Sequence, residues 1–180
     1  MYDEFLERVL FSEEQIENKV KEIAEQITKE YAGKKPLMVA ILKGSVMFFA
    51  DLIRRIETDL EIDFMAISSY GSGSRSSGEV KMIKDLDKRI EGRDIIIVED
   101  IVDSGYSMKY LKNLLSARNP ASIKICTLLD KPSRRQTDVQ ADYKGFEVEN
   151  EFVIGYGLDY DGLYRNLPFV GILKRSVYEK

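Results

Sequence analysis

The chain has 180 residues, 44% of them hydrophobic, which suits one domain with a real core and is short for two. Its 27 Lys and Arg stand against 31 Asp and Glu, a net charge of -4 that argues against a general nucleic-acid binder while leaving room for a local basic patch. There is no His, which excludes serine-triad chemistry, histidine metal ligands and histidine acid–base catalysis; any metal must be held by oxygen, as Mg2+ is.

The opening stretch, MYDEFLERVLFSEEQ, has neither the basic region nor the apolar run of a secretory leader. No later segment reaches about 18 uninterrupted apolar residues, so a cytoplasmic location with no membrane partner is expected. Ser12 with Glu13, Glu14 and Gln15 reads as a capping-box start. Ile16, Val20, Ile23, Ala24, Ile27 and Tyr31 then give a helical apolar stripe that fades at Gly33 and Pro36. Residues 37–42 form a short apolar strand, and Val46, Phe49, Ala50, Ile53 and Ile56 recur at helical spacing. Between them, Lys43-Gly44-Ser45 puts a strand's carboxyl end at a helix N-terminus, where backbone donors can hold an anion; plain turn chemistry accounts for the same residues equally well.

Further strands are expected at residues 62–67, 80–83, 95–98 and 123–129, with a third helix between the last two that stops before Pro120. Residues 68–80, SSYGSGSRSSGEV, have a linker's composition but join two strands of one sheet, which suits a lid better than a domain connection. Cys126, the only cysteine, sits in an apolar run as a small buried strand residue; no internal disulfide is possible, and a reducing compartment fits. After Asp130, polar turns around Pro132, Gly145 and Asn150 separate short β-like runs that read as an appendage to the sheet. The alternation predicts an α/β fold, a mostly parallel sheet flanked by helices, with residues 1–180 as a single domain.

The most informative stretch is IIIVEDIVDSGYS, residues 95–107. Its first four residues suit a strand buried on both faces, and Glu99, Asp100 and Asp103 fall where that strand ends. In open α/β sheets, ligands bind there. Ser104, Gly105 and Ser107 open a helix whose N-terminus can face an anion. Asp103 or Ser104 would serve as an ordinary N-cap, and Glu99 and Asp100 as solvated residues of a strand tip. Three acids beside an anion site, however, repel one another and the anion, which stability alone gives little reason to build.

This segment resembles the PRPP-binding motif of the type I phosphoribosyltransferases. LKGS (42–45), SSYG (68–71), LLDKPSRR (128–135) and FVIGYGLDYDGLYRNLP (152–168) follow in the order seen in the hypoxanthine-guanine phosphoribosyltransferases, and the chain is identified as a member of that family over nearly its full length. The resemblance implies the type I phosphoribosyltransferase fold, with a small hood built from segments near both termini covering the base site. It also implies transfer of the phosphoribosyl group of PRPP to N9 of hypoxanthine, and of guanine, giving IMP or GMP and pyrophosphate, with Mg2+ as cofactor and a homodimer or homotetramer as the assembly.

Roles follow from the same resemblance. Asp103 would take a proton from the base at N7, Glu99 and Asp100 would hold the ribose hydroxyls and a metal-bound water, and Ser104, Gly105, Tyr106 and Ser107 would clasp the 5′-phosphate. Lys43 and Gly44, behind a peptide bond that is cis in some or all states, would bind pyrophosphate together with Arg165 and with Arg135 or its neighbour Arg134. Ser69 and Tyr70 would reach the site from the lid. Phe152 would stack on the purine, Val153 would offer backbone groups to its edge, and Asp159 would complete the purine and metal site with Glu99 and Asp100. Lys131 would meet the oxygen at C6; an ammonium, having donors only, disfavours an amino group there. The contrasting reading is a regulator on this fold that senses PRPP or binds RNA. Net acidity and the presence of Asp103 and Lys131 weigh against it.

Overall fold

The computed structural model describes Tyr2, residues 4–69 and residues 80–179. Helix α1 (Glu13–Glu30) opens with the expected capping box: the Ser12 hydroxyl accepts from the Gln15 amide at 3.3 Å, and the Gln15 side chain accepts from the Ser12 amide at 2.9 Å. Ile16, Val20, Ile23, Ala24 and Ile27 make its buried face.

Six strands form the main sheet: β2 (Leu37–Leu42), β3 (Glu61–Ser69), β4 (Val80–Lys84), β5 (Asp94–Val102), β6 (Ser122–Asp130) and β7 (Tyr143–Glu147). Their order is β4-β3-β2-β5-β6-β7, and the pairings are parallel except that of β3 with β4. β2 and residues 95–98 of β5 are apolar throughout because both faces are covered there. Met38, Ala40, Ile96 and Val98 face a layer shared with α1 and α2 (Val46–Ile53). Val39, Ile41, Ile95 and Ile97 face the opposite layer with Met108, Leu111 and Leu115 of α3 (Tyr106–Ser116). Each fully buried Leu or Ile contributes about 1.5–3 kcal/mol of transfer free energy, so these two layers fix the sheet's position between the helices. Cys126 is buried as expected, and burial pushes its thiol pKa up.

A second sheet, of β1 (Leu6–Phe11), β9 (Val170–Leu173) and β8 (Val153–Ile154), is antiparallel and joins the two ends of the chain, with Leu6 opposite Leu173 and Val153 opposite Ile172. This is the expected hood. The short helix α4 (Arg175–Tyr178) follows it.

Three features differ from the sequence expectation. β7 is a strand of the main sheet, parallel to β6, not part of an appendage; Tyr143 is buried in the layer beneath α1, with its hydroxyl donating to Glu30. Strand β5 runs to Val102, because Glu99, Ile101 and Val102 keep pairing with Thr127, Leu129 and Asp130, so Glu99 and Asp100 belong to the strand itself. Finally, α3 begins after Gly105, whose φ of +87° few other residues adopt, and neither Asp103 nor Ser104 caps it. Of the loop expected over residues 68–80, Ser68 and Ser69 belong to β3 and Val80 to β4, with Ser69 opposite Val80; residues 70–79, including Tyr70, lie outside the described residues.

Candidate active site

The chain leaves β2 toward β3 on one side and β5 toward β6 on the other, so the connections after the two central strands lead in opposite directions. Such a switch point opens a crevice between the loops that follow the strands. Here the crevice holds Gly44 of the Lys43–Ser45 turn, Glu99 and Asp100 of β5 and Ser107 at the start of α3. The Leu42–Lys43 peptide is cis. A Cβ on Gly44 would stand 1.7 Å from Asp100 Oδ2, and one on Gly157 would stand 2.0 Å from the Gly44 carbonyl oxygen. Only glycines let these three segments pack this closely.

The resulting cavity, about 260 Å3, is lined by Gly44, Glu99, Asp100, Ser107, Asp159 and Arg165. Arg165 pairs with Asp159 at 2.7 Å and donates to the Gly157 carbonyl at 2.6 Å, which closes the 157–165 loop on itself. The second Asp159 oxygen accepts from the Gly162 amide at 2.8 Å. Burial, reinforced by neighbouring Asp100, pushes the Glu99 carboxyl well above its usual range, and burial raises Asp100 as well. Neighbouring carboxyls in this setting offer oxygens to hydroxyl groups, and a cation placed there would offset the repulsion between them. Among the described residues no three acidic side chains converge to form a metal cage, so Glu99, Asp100 and Asp159 line one space without being a preassembled ligand set.

A second cavity, about 520 Å3, adjoins the first through Asp159 and is lined also by Asp103, Lys131, Arg134, Phe152 and Val153. Lys131, 7% exposed, follows β6 and donates to the Glu151 carbonyl at 2.7 Å; burial lowers its pKa. Phe152 is 37% exposed, edge-on to Tyr160 at 5.6 Å and stacked with Tyr178 of α4 at 5.0 Å. Asp103 lies 41% exposed, with one oxygen 2.7 Å from Arg134 Nε, while another Arg134 nitrogen donates to the Asn150 side chain at 2.9 Å.

Most predicted site residues therefore gather in two adjoining cavities; among the described residues, Lys43, Ser69, Ser104, Gly105, Tyr106 and Arg135 stand outside their linings. Lys43 is exposed at the turn. Gly105 and Tyr106 start α3, with the Tyr106 hydroxyl 3.1 Å from the Gln136 side chain. Arg135 turns away from both cavities: its guanidinium donates to the Asp103, Val102 and Val139 carbonyls and to Asp130. The pyrophosphate contact expected of it does not match that placement, because the acceptors behind the turn already hold its donors. Asn150, named from the sequence only as a turn residue, Tyr178 and the Gly44–Gly157 contact had no site role before the structure. They are brought in by partners far along the chain, and no local pattern marks them.

The family model for the phosphoribosyl transferase domain matches residues 10–161. The hypoxanthine-guanine phosphoribosyltransferase of Bacillus subtilis strain 168 is 58% identical over 174 residues, 97% of each chain. That of Lactococcus lactis strain IL1403 is 57% identical over 178 residues, 99% of this chain and 97% of its own. The chain belongs to the hypoxanthine-guanine phosphoribosyltransferase family. A Staphylococcus aureus hypoxanthine phosphoribosyltransferase structure superposes with a TM-score of 0.94 at 52% identity, covering 97% of this chain and 95% of that one. This family's fold is accordingly the fold described above, with the hood over the switch-point crevice.

Proposed function

We propose that the chain is a purine-salvage transferase that moves the 5-phosphoribosyl group of PRPP to N9 of hypoxanthine or guanine, giving IMP or GMP and pyrophosphate. The observation that carries this reading is the junction at Asp159 of two unlike cavities. One is lined by carboxyls and Arg165, suited to a charged sugar donor; the other has an exposed aromatic face, a buried ammonium and Asp103 at its edge. The transferases among its relatives support it, and nothing in them supports the regulator reading.

In the reaction, the bond from the anomeric carbon to pyrophosphate breaks while N9 of the base forms its bond to that carbon, and positive charge develops on the sugar in between. Glu99 and Asp100 hold the ribose hydroxyls. The turn at Ser104, Gly105, Tyr106 and Ser107 receives the 5′-phosphate on amides that have no acceptor among the described residues. Gly44 and Arg165, with Lys43 at the turn, hold the departing pyrophosphate; an arginine fork fits phosphate oxygens. Phe152 stacks on the purine, Val153 meets its edge, and Lys131 donates to the oxygen at C6. Asp103 takes the proton the base gives up at N7. Arg134 occupies only one of its oxygens, which leaves the other for that proton.

Mg2+ fits the first cavity because the donors there are oxygens and this ion is commonly bound by one or two carboxylates plus waters and substrate phosphates. When bound, it would neutralise charge on the pyrophosphate. A cytoplasmic setting agrees with the lone buried thiol, and among the described residues no helix is long and apolar enough to cross a membrane.

Incubation with PRPP, Mg2+ and single purine bases, followed by pyrophosphate release, tests the specificity. Hypoxanthine and guanine should release pyrophosphate and adenine should not; equal release with adenine would mean that Lys131 does not read C6.

A further inference from the structure

Arg135 is 13% exposed at its side chain and reaches four acceptors, using four of its five N–H groups. Nε donates to the Asp103 carbonyl at 3.0 Å and one terminal nitrogen donates to the Val102 carbonyl at 3.3 Å. That same nitrogen meets the carboxylate of Asp130, itself only 9% exposed, and the other terminal nitrogen meets the Val139 carbonyl. The chain beyond continues the grip: the Gln136 amide donates to the Ser104 carbonyl at 2.9 Å, and the Lys131 amide to the Val102 carbonyl at 2.9 Å. Three consecutive carbonyls of the turn thus point at the 131–136 segment.

Peptide planarity turns that into a statement about donors. Across a trans peptide, a carbonyl and the following N–H point in opposite directions. With the Val102, Asp103 and Ser104 carbonyls held on one side, the amides of Asp103, Ser104 and Gly105 are directed to the other; Ser104 and Gly105 belong to the turn proposed to receive the 5′-phosphate. Two of the three carbonyls rest on one guanidinium. Its stem also lies along the turn, since a Cβ on Gly105 would come within 2.9 Å of Arg135 Cδ.

We infer that Arg135 is a positioning residue, a buried clamp that aims the phosphate-binding amides and ties them to the segment carrying Lys131, and not a ligand of pyrophosphate. The inference rests on the proposed 5′-phosphate role of the turn. It predicts that the phosphate, and not the base or the pyrophosphate, feels the loss of the guanidinium.

Calorimetric titration with IMP and with inosine isolates the phosphate, because the two ligands differ only there. Arg135→Lys keeps a cation beside Asp130 but lacks the planar fork that bridges the carbonyls. The IMP-to-inosine affinity ratio should fall at least about tenfold in this variant, as expected for misaimed hydrogen bonds to a charged group. Inosine affinity and the KM for pyrophosphate in the reverse reaction should stay at the wild-type level. If Arg135→Lys does not fold, Asp130→Asn, which frees one end of the guanidinium, is measured the same way and should lower the same ratio by a smaller factor. An unchanged ratio in the folded variant, or a rise confined to the KM for pyrophosphate, would overturn the inference. The wild-type ratio distinguishes the deeper failure: if IMP and inosine bind the unaltered protein equally well, the turn does not hold the phosphate and the inference goes with it.

Discussion

Asp103 accepts the base proton in the proposed reaction, and Arg134 holds one of its two oxygens. Asp103→Asn keeps the shape and removes the proton acceptor. General acid–base catalysis contributes typically 10²–10⁴-fold, so steady-state kinetics should show kcat reduced by about 10² or more with the KM for PRPP little changed. A near-normal kcat would remove Asp103 from this role. At the scale of single residues, the sequence was informative where chemistry follows from residue type and order: the acids of β5, Lys131 after β6, and Asp159 with Arg165 all line the crevice. It was uninformative about Arg135, which beside Arg134 looks like one more exposed cation. What separates them is the set of acceptors, and Arg135 finds the Val102 and Asp103 carbonyls 33 and 32 positions back along the chain.

Elements that close locally were the legible ones. The capping box at Ser12, the apolar runs of β2 and β5 and the stripe of α3 each state their conformation within a few residues. β1 and β7 did not, because their pairing is settled elsewhere. LERVLF carries Glu7 and Arg8 and has no clean alternation, yet it becomes a strand by pairing with the far end of the chain, Leu6 with Leu173. The loop bearing Asp159 and Arg165 is likewise seated by long-range contacts: Gly157 against Gly44, and the Tyr156 hydroxyl 2.6 Å from Asp51 on α2. Gly157 has a φ of +101°, so Gly157→Ala strains the backbone and drives a methyl into the Gly44 carbonyl. A displacement of about 1 Å at a reacting centre costs on the order of 10²-fold. kcat/KM for PRPP should therefore fall steeply while circular dichroism stays that of the wild type; unimpaired turnover would show that this contact does not set the loop.

For the molecule as a whole, the fold brings four separated stretches to one place: the turn after β2, the end of β5 with the start of α3, the segment after β6, and the hood residues 152–165. The main sheet supplies the charged half of the crevice and the hood supplies Phe152 and Val153, with Asp159 in the linings of both cavities. The first cavity suits a sugar phosphate, and the second, which joins Lys131 and Asp103 at the strand ends of the main sheet to Phe152 and Val153 of the hood, suits a base. Their adjacency makes a transfer between them possible, and the products are where that adjacency can be read. When the protein is incubated with PRPP, Mg2+ and hypoxanthine and the mixture is resolved by chromatography, IMP and pyrophosphate should appear in equal amounts as hypoxanthine disappears. PRPP breaking down to ribose 5-phosphate with hypoxanthine left intact would contradict the transfer.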